Sequence, residues 1–211
     1  MSIALIANEL ANISQLAGIT PFGQRSTDVL GQPGSCPNTS DSFAMGTYTP
    51  LQQARFLAED GTRLIKGFPA EKIVGNKDEM LAQLAAYSGY ATLLLGEGFC
   101  EMALDGGPLM TRQQVFQRAE ASFTAAITHA DLAAKPDLRQ LALAGRARTR
   151  LDLGNPSGAA ADAEAVSAGY VWNATYSTIN PLRENRIFNL NRRNNFIGVD
   201  PAAYGNVLLA G

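Results

Sequence analysis

The chain has 211 residues, 46% of them apolar, and a formal net charge of -2. That length fits one domain of ordinary size or two small ones, and the apolar share argues for a packed core and against a disordered tail. Neither charge sign dominates, which excludes a broad electrostatic footprint for nucleic acid and leaves open only a local patch.

Residues 2 to 17 carry Ile3, Leu5, Ile6, Leu10, Ile13 and Leu16. Spacings of three and four predict an amphipathic helix there. The opening from Met1 to Glu9 has no basic region and only a short apolar run, so it does not read as a secretory signal. The expectation is either a cytosolic chain or one that lacks its natural beginning. Elsewhere, no apolar run approaches the roughly 20 residues that span a bilayer. Residues 18 to 48 are punctuated by Gly18, Pro21, Gly23, Gly31, Pro33, Gly34, Pro37 and Gly46, which predicts a long loop.

Thr49-Pro50-Leu51-Gln52 restarts order as a helix start, with Thr49 as cap and Pro50 at the first position. The apolar face that follows is Leu51, Ala54, Leu57, Ala58, Gly61, Leu64 and Ile65, with Gly67 as the stop. Asn76-Lys77-Asp78-Glu79 opens the next helix, because acidic residues suit the positive end of the helix dipole. It runs to about Cys100. Asp105-Gly106-Gly107-Pro108 is a turn. Thr111-Arg112-Gln113-Gln114 caps a helix whose face is Val115, Phe116, Ala119, Phe123, Ala126, Ile127 and Ala130. Lys135-Pro136-Asp137 breaks it and begins another, which ends near Gly154. Asn155-Pro156 caps a short Ala-rich helix ending at Gly169. Beyond it, Tyr170, Val171, Trp172, Thr175, Tyr176, Thr178 and Ile179 favour extended structure, read as short strands and loops.

The chemistry is sparse. Two cysteines and one histidine cannot fill an ordinary zinc site. Cys36 and Cys100 read either as independent buried thiols or as one disulfide, which would imply an oxidising compartment. His129 sits late in a helix and reads as a surface or capping residue. The Gly96-Glu97-Gly98 and Asp105-Gly106-Gly107 runs lack the lysine of a phosphate loop and read as turns. Asp152, Asp162 and Glu164 read as a solvated face, and Arg146, Arg148 and Arg150 as spread round their helix. No catalytic constellation emerges, so neither an enzyme nor a cofactor is expected.

Two stretches share one texture: Leu84 to Gly96 and Leu141 to Gly154 are apolar helices with small residues at repeated spacing. Gly89 and Gly96 fall at the offsets of Ala147 and Gly154, and Ala119-x-x-x-Phe123-x-x-Ala126 has the spacing of a tetratricopeptide second helix. In the second pair Ala159, Ala163 and Val166 take those places. The expected architecture is a mainly α, tetratricopeptide-like fold in one domain, 1–211. Its hairpins span about 76–131 and 136–169, with long loops, minor β structure and a loop-rich part over 170–211.

The order of these parts carries a resemblance. Gly96-Glu97-Gly98-Phe99-Cys100 is followed by an insert holding Gly107-Pro108, then by the Ala119 to Ala126 helix. Next come Ala144-Gly145-Arg146-Ala147-Arg148, Leu151-x-Leu153-Gly154 and, later, Asn185-Arg186-Ile187-Phe188. Over roughly residues 50 to 188 this resembles the SusD/RagB family. The resemblance implies a non-catalytic lipoprotein at the cell-surface side of an outer membrane. It would bind a glycan or peptide nutrient and dock on a TonB-dependent, SusC-like transporter. The family's signal and lipidated cysteine are missing and its members are about twice as long, so a fragment or trimmed form is expected. Under a glycan reading, Tyr170, Trp172 and Tyr176 would line one face of a strand and stack on sugar rings, with Asn173 and Arg183 bonding hydroxyls. Tyr48 and Phe43 are further candidates, while Tyr87 and Tyr90 read as core. A helical protein-interaction module without a small ligand is the alternative.

Overall fold

A computed structural model describes residues 48–180, 183–185 and 188, together with the backbone of 11–12 and 197–198. In chain order the elements are β1 (Ala11–Asn12), α1 (Tyr48–Gly67), α2 (Lys77–Gly98), β2 (Glu101–Ala103), β3 (Leu109–Thr111), α3 (Arg112–Leu132), α4 (Pro136–Asp152), α5 (Pro156–Glu164) and β4 (Ile197–Gly198). The fold is mainly α. It divides into two compact units, one from Leu51 to Asn173, the other from Met1 to Pro50 with Ala174 to Gly211, where the sequence suggests one domain.

In the second unit β1 pairs antiparallel with β4. Ala11 and Asn12 are therefore strand, within the stretch expected to be helix, because a partner distant in sequence overrides a local period. The rest of that expected helix, and the 18–47 loop, lie outside the described residues.

Helix starts in the 51–173 unit follow their caps. Asn76 accepts from the backbone N–H of Asp78 and Glu79, and Thr111 with Gln114 forms a reciprocal capping box. Asn155 accepts from Gly158 N–H. Gly154 takes a left-handed φ of 75° just past α4. α1 begins at Tyr48, one residue before its expected cap. α5 closes at Glu164, short of Gly169.

Polar contacts set the helix directions. Arg112 Nε donates to Gly96 O at one end of α2, while His129 Nδ1 lies 2.8 Å from Asp78 Oδ1 at the other, so α2 and α3 are antiparallel. Arg139–Asp131 and Arg150–Glu120 run α4 antiparallel to α3, and Arg146–Asp162 with Arg150–Gly158 does the same for α5 against α4. α2 and α4 lie parallel: the Tyr90 hydroxyl donates to Leu141 O, and one helical stretch further on Arg148 donates to Glu97.

The core is made by α2, α3 and α4 around Phe123, which is fully buried. Its ring meets Tyr90 edge to face at 4.9 Å and 82°. A Cβ on Gly89 would fall 2.8 Å from that ring, and one on Gly145 would fall 2.3 Å from it. Gly96 opens the same kind of space for Phe116. The small residue of α4 at this crossing is thus Gly145, where the repeat offsets suggest Ala147. Gly154 lies outside the helix and is no counterpart of Gly96.

Between α2 and α3 the chain forms a hairpin, β2 against β3. Asp105 and Gly106 take φ of 54° and 70°, and Gly107 N–H donates to Leu104 O, the primed turn that suits hairpin twist. The insert is legible in the sequence as a turn, and its flanking strands are an addition.

α1 buries only part of the face its apolar pattern suggests. Arg55 and Ala58 are buried, whereas Leu57 and Leu64 are exposed. Arg55 Nη1 donates to Glu59 at 2.7 Å and to Asp105 at 3.0 Å, and Arg118 and Ser88 also donate to Glu59. Polar partners from α2, α3 and the hairpin turn therefore choose the face.

Candidate functional site

The segment after α5 is laid back across α4. Ser167 N–H donates to the Gln140 side chain at 2.9 Å, and Gly169, at φ 80°, turns the chain. Tyr170 then packs its ring against the core, and its hydroxyl donates to Asp137 O at 2.8 Å. Burial, then the nearby Tyr90 and the Asp137 charge, push the Tyr170 phenol up to about 12, so it stays neutral. Tyr170 is an anchor with a committed hydroxyl.

Beside it lies an open cleft of about 510 Å³, lined by Asp137, Gly169, Tyr170, Val171, Trp172 and Asn173. Trp172 is 39% exposed and lines the same cleft as the anchored tyrosine. Asn173 is exposed and supplies amide donors and acceptors. An aromatic face beside amide and carboxylate groups can stack on an aliphatic ring and bond its hydroxyls.

Three of the expected site residues, Tyr170, Trp172 and Asn173, therefore come together. They do so without a strand: 170–176 is irregular, so the alternation that would align Tyr176 with them does not hold. The reason is the Gly169 turn and the Tyr170 anchor, which fix the segment by side-chain bonds and leave its backbone without a ladder partner. Tyr176, Arg183 and Tyr48 belong to the other unit. There Tyr176 is exposed and Tyr48 half-buried, and Arg183 donates to Thr175 Oγ1 at 2.9 Å while its carbonyl accepts from Ser177. Phe43 and Cys36 lie outside the described residues. Cys100 is an exposed free thiol, not a buried one. Asp137 is the lining residue that sequence reading misses. Its signal is the Pro136-Asp137 helix start, which explains it completely as a dipole partner.

Several other charged groups are bound into the scaffold. Asp162 is buried, against the expectation of a solvated face, because Arg146 and Arg150 both reach it, at 2.7 and 2.9 Å. Its hydrogen bond, outweighing burial, raises the Arg146 pKa. At Arg55 burial alone would lower the pKa, but hydrogen bonding and charge from Asp105 and Glu59 raise it overall. Among the described residues no group of three His, Cys, Asp or Glu is placed to hold a metal, and no helix is long and apolar enough to cross a membrane.

No protein-family model matches the chain, and no curated protein or solved structure does either.

Proposed function

We propose that the protein is a non-catalytic binding module that holds a glycan at the Trp172 cleft. The observation that carries this is the half-exposed Trp172 lining an open cleft beside Tyr170, whose own ring and hydroxyl are already committed. Such a platform costs little entropy when a sugar ring stacks on it, since the cleft is laid out before the ligand arrives. The SusD/RagB resemblance extends the reading to a nutrient oligomer captured at the surface of an outer membrane and passed to a TonB-dependent transporter. The parallel placement of α2 and α4 about Phe123 supports the tetratricopeptide-like part of that resemblance.

A glycan array, followed by calorimetry on the hits, tests it. Trp172→Ala should weaken binding by roughly tenfold to a hundredfold, the worth of a buried aromatic face. An array without a hit, or a hit that Trp172→Ala leaves intact, removes the reading. The alternative, a helical protein-interaction module, would then stand on a different observation: Phe56, Leu57 and Leu64 are about half exposed or more on α1.

A further inference from the structure

Among the described residues that line the cleft, Asp137 alone is charged. Its carboxylate makes no ion pair with a described residue. The cations beside it in sequence are taken elsewhere: Lys135 pairs with Glu79 at 2.7 Å and Arg139 with Asp131 at 3.0 Å. The start of α4 adds a partial positive charge of about half a unit, which offsets only part of the carboxylate. Pro136, at the first turn, has no N–H to offer an anion. The described lining thus presents an aromatic residue and one carboxylate without an ion-pair partner among the described residues.

We infer that, within the glycan reading, the cleft selects sugars bearing a free amine and disfavours acidic ones. A hexosamine unit would stack its ring on Trp172 and hold its ammonium near Asp137. The same charge gains further from the indole face. A uronate or sulfated unit would bring its anion against the Asp137 carboxylate, with no cation among the described lining residues to receive it.

The test uses the whole chain and its single tryptophan, Trp172. Indole fluorescence is titrated with glucosamine oligomers, their N-acetylated counterparts and oligogalacturonate, at about pH 5.5, where sugar amines are protonated and carboxylates ionised. The amine form should bind roughly tenfold tighter than the acetylated one, from an exposed charge pair and a cation–π contact together. Oligogalacturonate should be weakest. Asp137→Asn should bring the amine-to-acetyl ratio to about one, and added salt should compress it, with circular dichroism confirming the fold. Equal binding of amine and acetylated oligomers, a ratio unchanged in Asp137→Asn, or tighter uronate binding overturns the charge selection and leaves the glycan reading in place. Failure of all three oligomers to bind while the array gives other hits overturns the charge selection alone, and an array without a hit overturns both.

Discussion

Gly145→Ala sets two terms against each other at one position. In an unstrained helix interior, alanine should stabilise by about 1 kcal/mol relative to glycine. The new methyl, however, would sit 2.3 Å from Phe123 Cε1 and 2.4 Å from Cζ. Carbon atoms prefer separations of about 3.5–4.0 Å, so the ring must retreat by more than about 1 Å. Its room is limited, because Gly89 also lies close to the ring and Tyr90 packs edge to face with it. Overpacking of this kind costs about 1–3 kcal/mol, from which the propensity gain takes back about 1. The net expectation is destabilisation of up to about 2 kcal/mol. Urea denaturation followed through Trp172 fluorescence reports on the 51–173 unit alone, because the indole lies within it. Gly98→Ala is the control, since nothing lies within 4 Å of that site, and it should be neutral or mildly stabilising. Phe123→Leu removes the obstructing ring, so Gly145→Ala should cost at least about 0.5 kcal/mol less in that background. A stabilising Gly145→Ala, or an unchanged cost in the Phe123→Leu background, would refute the steric account.

Two further outcomes follow from the ion pairs. Asp162→Asn leaves Arg146 without its charged partner and Arg150 with only Glu120. Because both arginines keep some solvent contact, the loss should be about 2–3 kcal/mol rather than that of a fully buried pair, read from urea midpoints; a change under about 0.5 kcal/mol contradicts it. The Arg55 hydrogen bond and charge hold the Asp105 carboxyl below its ordinary range. Its stabilising effect is therefore complete above the unfolded aspartate value of about 4 and is lost as pH falls through the depressed one. Asp105→Asn should flatten that acid limb of a stability-against-pH curve, and an unaltered limb would show that the pair contributes nothing.

The helices of the 51–173 unit are legible in the sequence because local signals agree with one another. Asn76, Thr111 and Asn155 each place a side-chain oxygen where free backbone N–H groups need one. Phe123 and Gly89 are visible as a spacing, although Gly145 as a second neighbour of the ring is not: it lies on the next helix, across a connection whose geometry the repeat offsets do not encode. The face of α1 is partly misread because Leu57 and Leu64 carry the apolar period while Arg55 carries the partners, and a partner 50 residues away leaves no mark on the local pattern. Asp162 is misread for the same reason. At the cleft, the aromatic residues stand out by type, but a strand is the wrong source for their alignment. Gly169 and the Tyr170 hydroxyl achieve it without one. The β2–β3 hairpin has its own signal in Asp105-Gly106, a pair that favours the primed turn.

The attachment of α1 has a consequence for how the unit comes apart. None of its residues belongs to the apolar cluster around Phe123. Its fastening is mostly ionic, through Arg55 and Glu59, with Gly61 against Leu84 as a small apolar contact. Releasing α1 therefore uncovers little oil and leaves the Phe123 crossing whole. Such a segment opens below the free energy of global unfolding, and its amides exchange first. Ionic strength and acid, rather than heat alone, set how often it lifts.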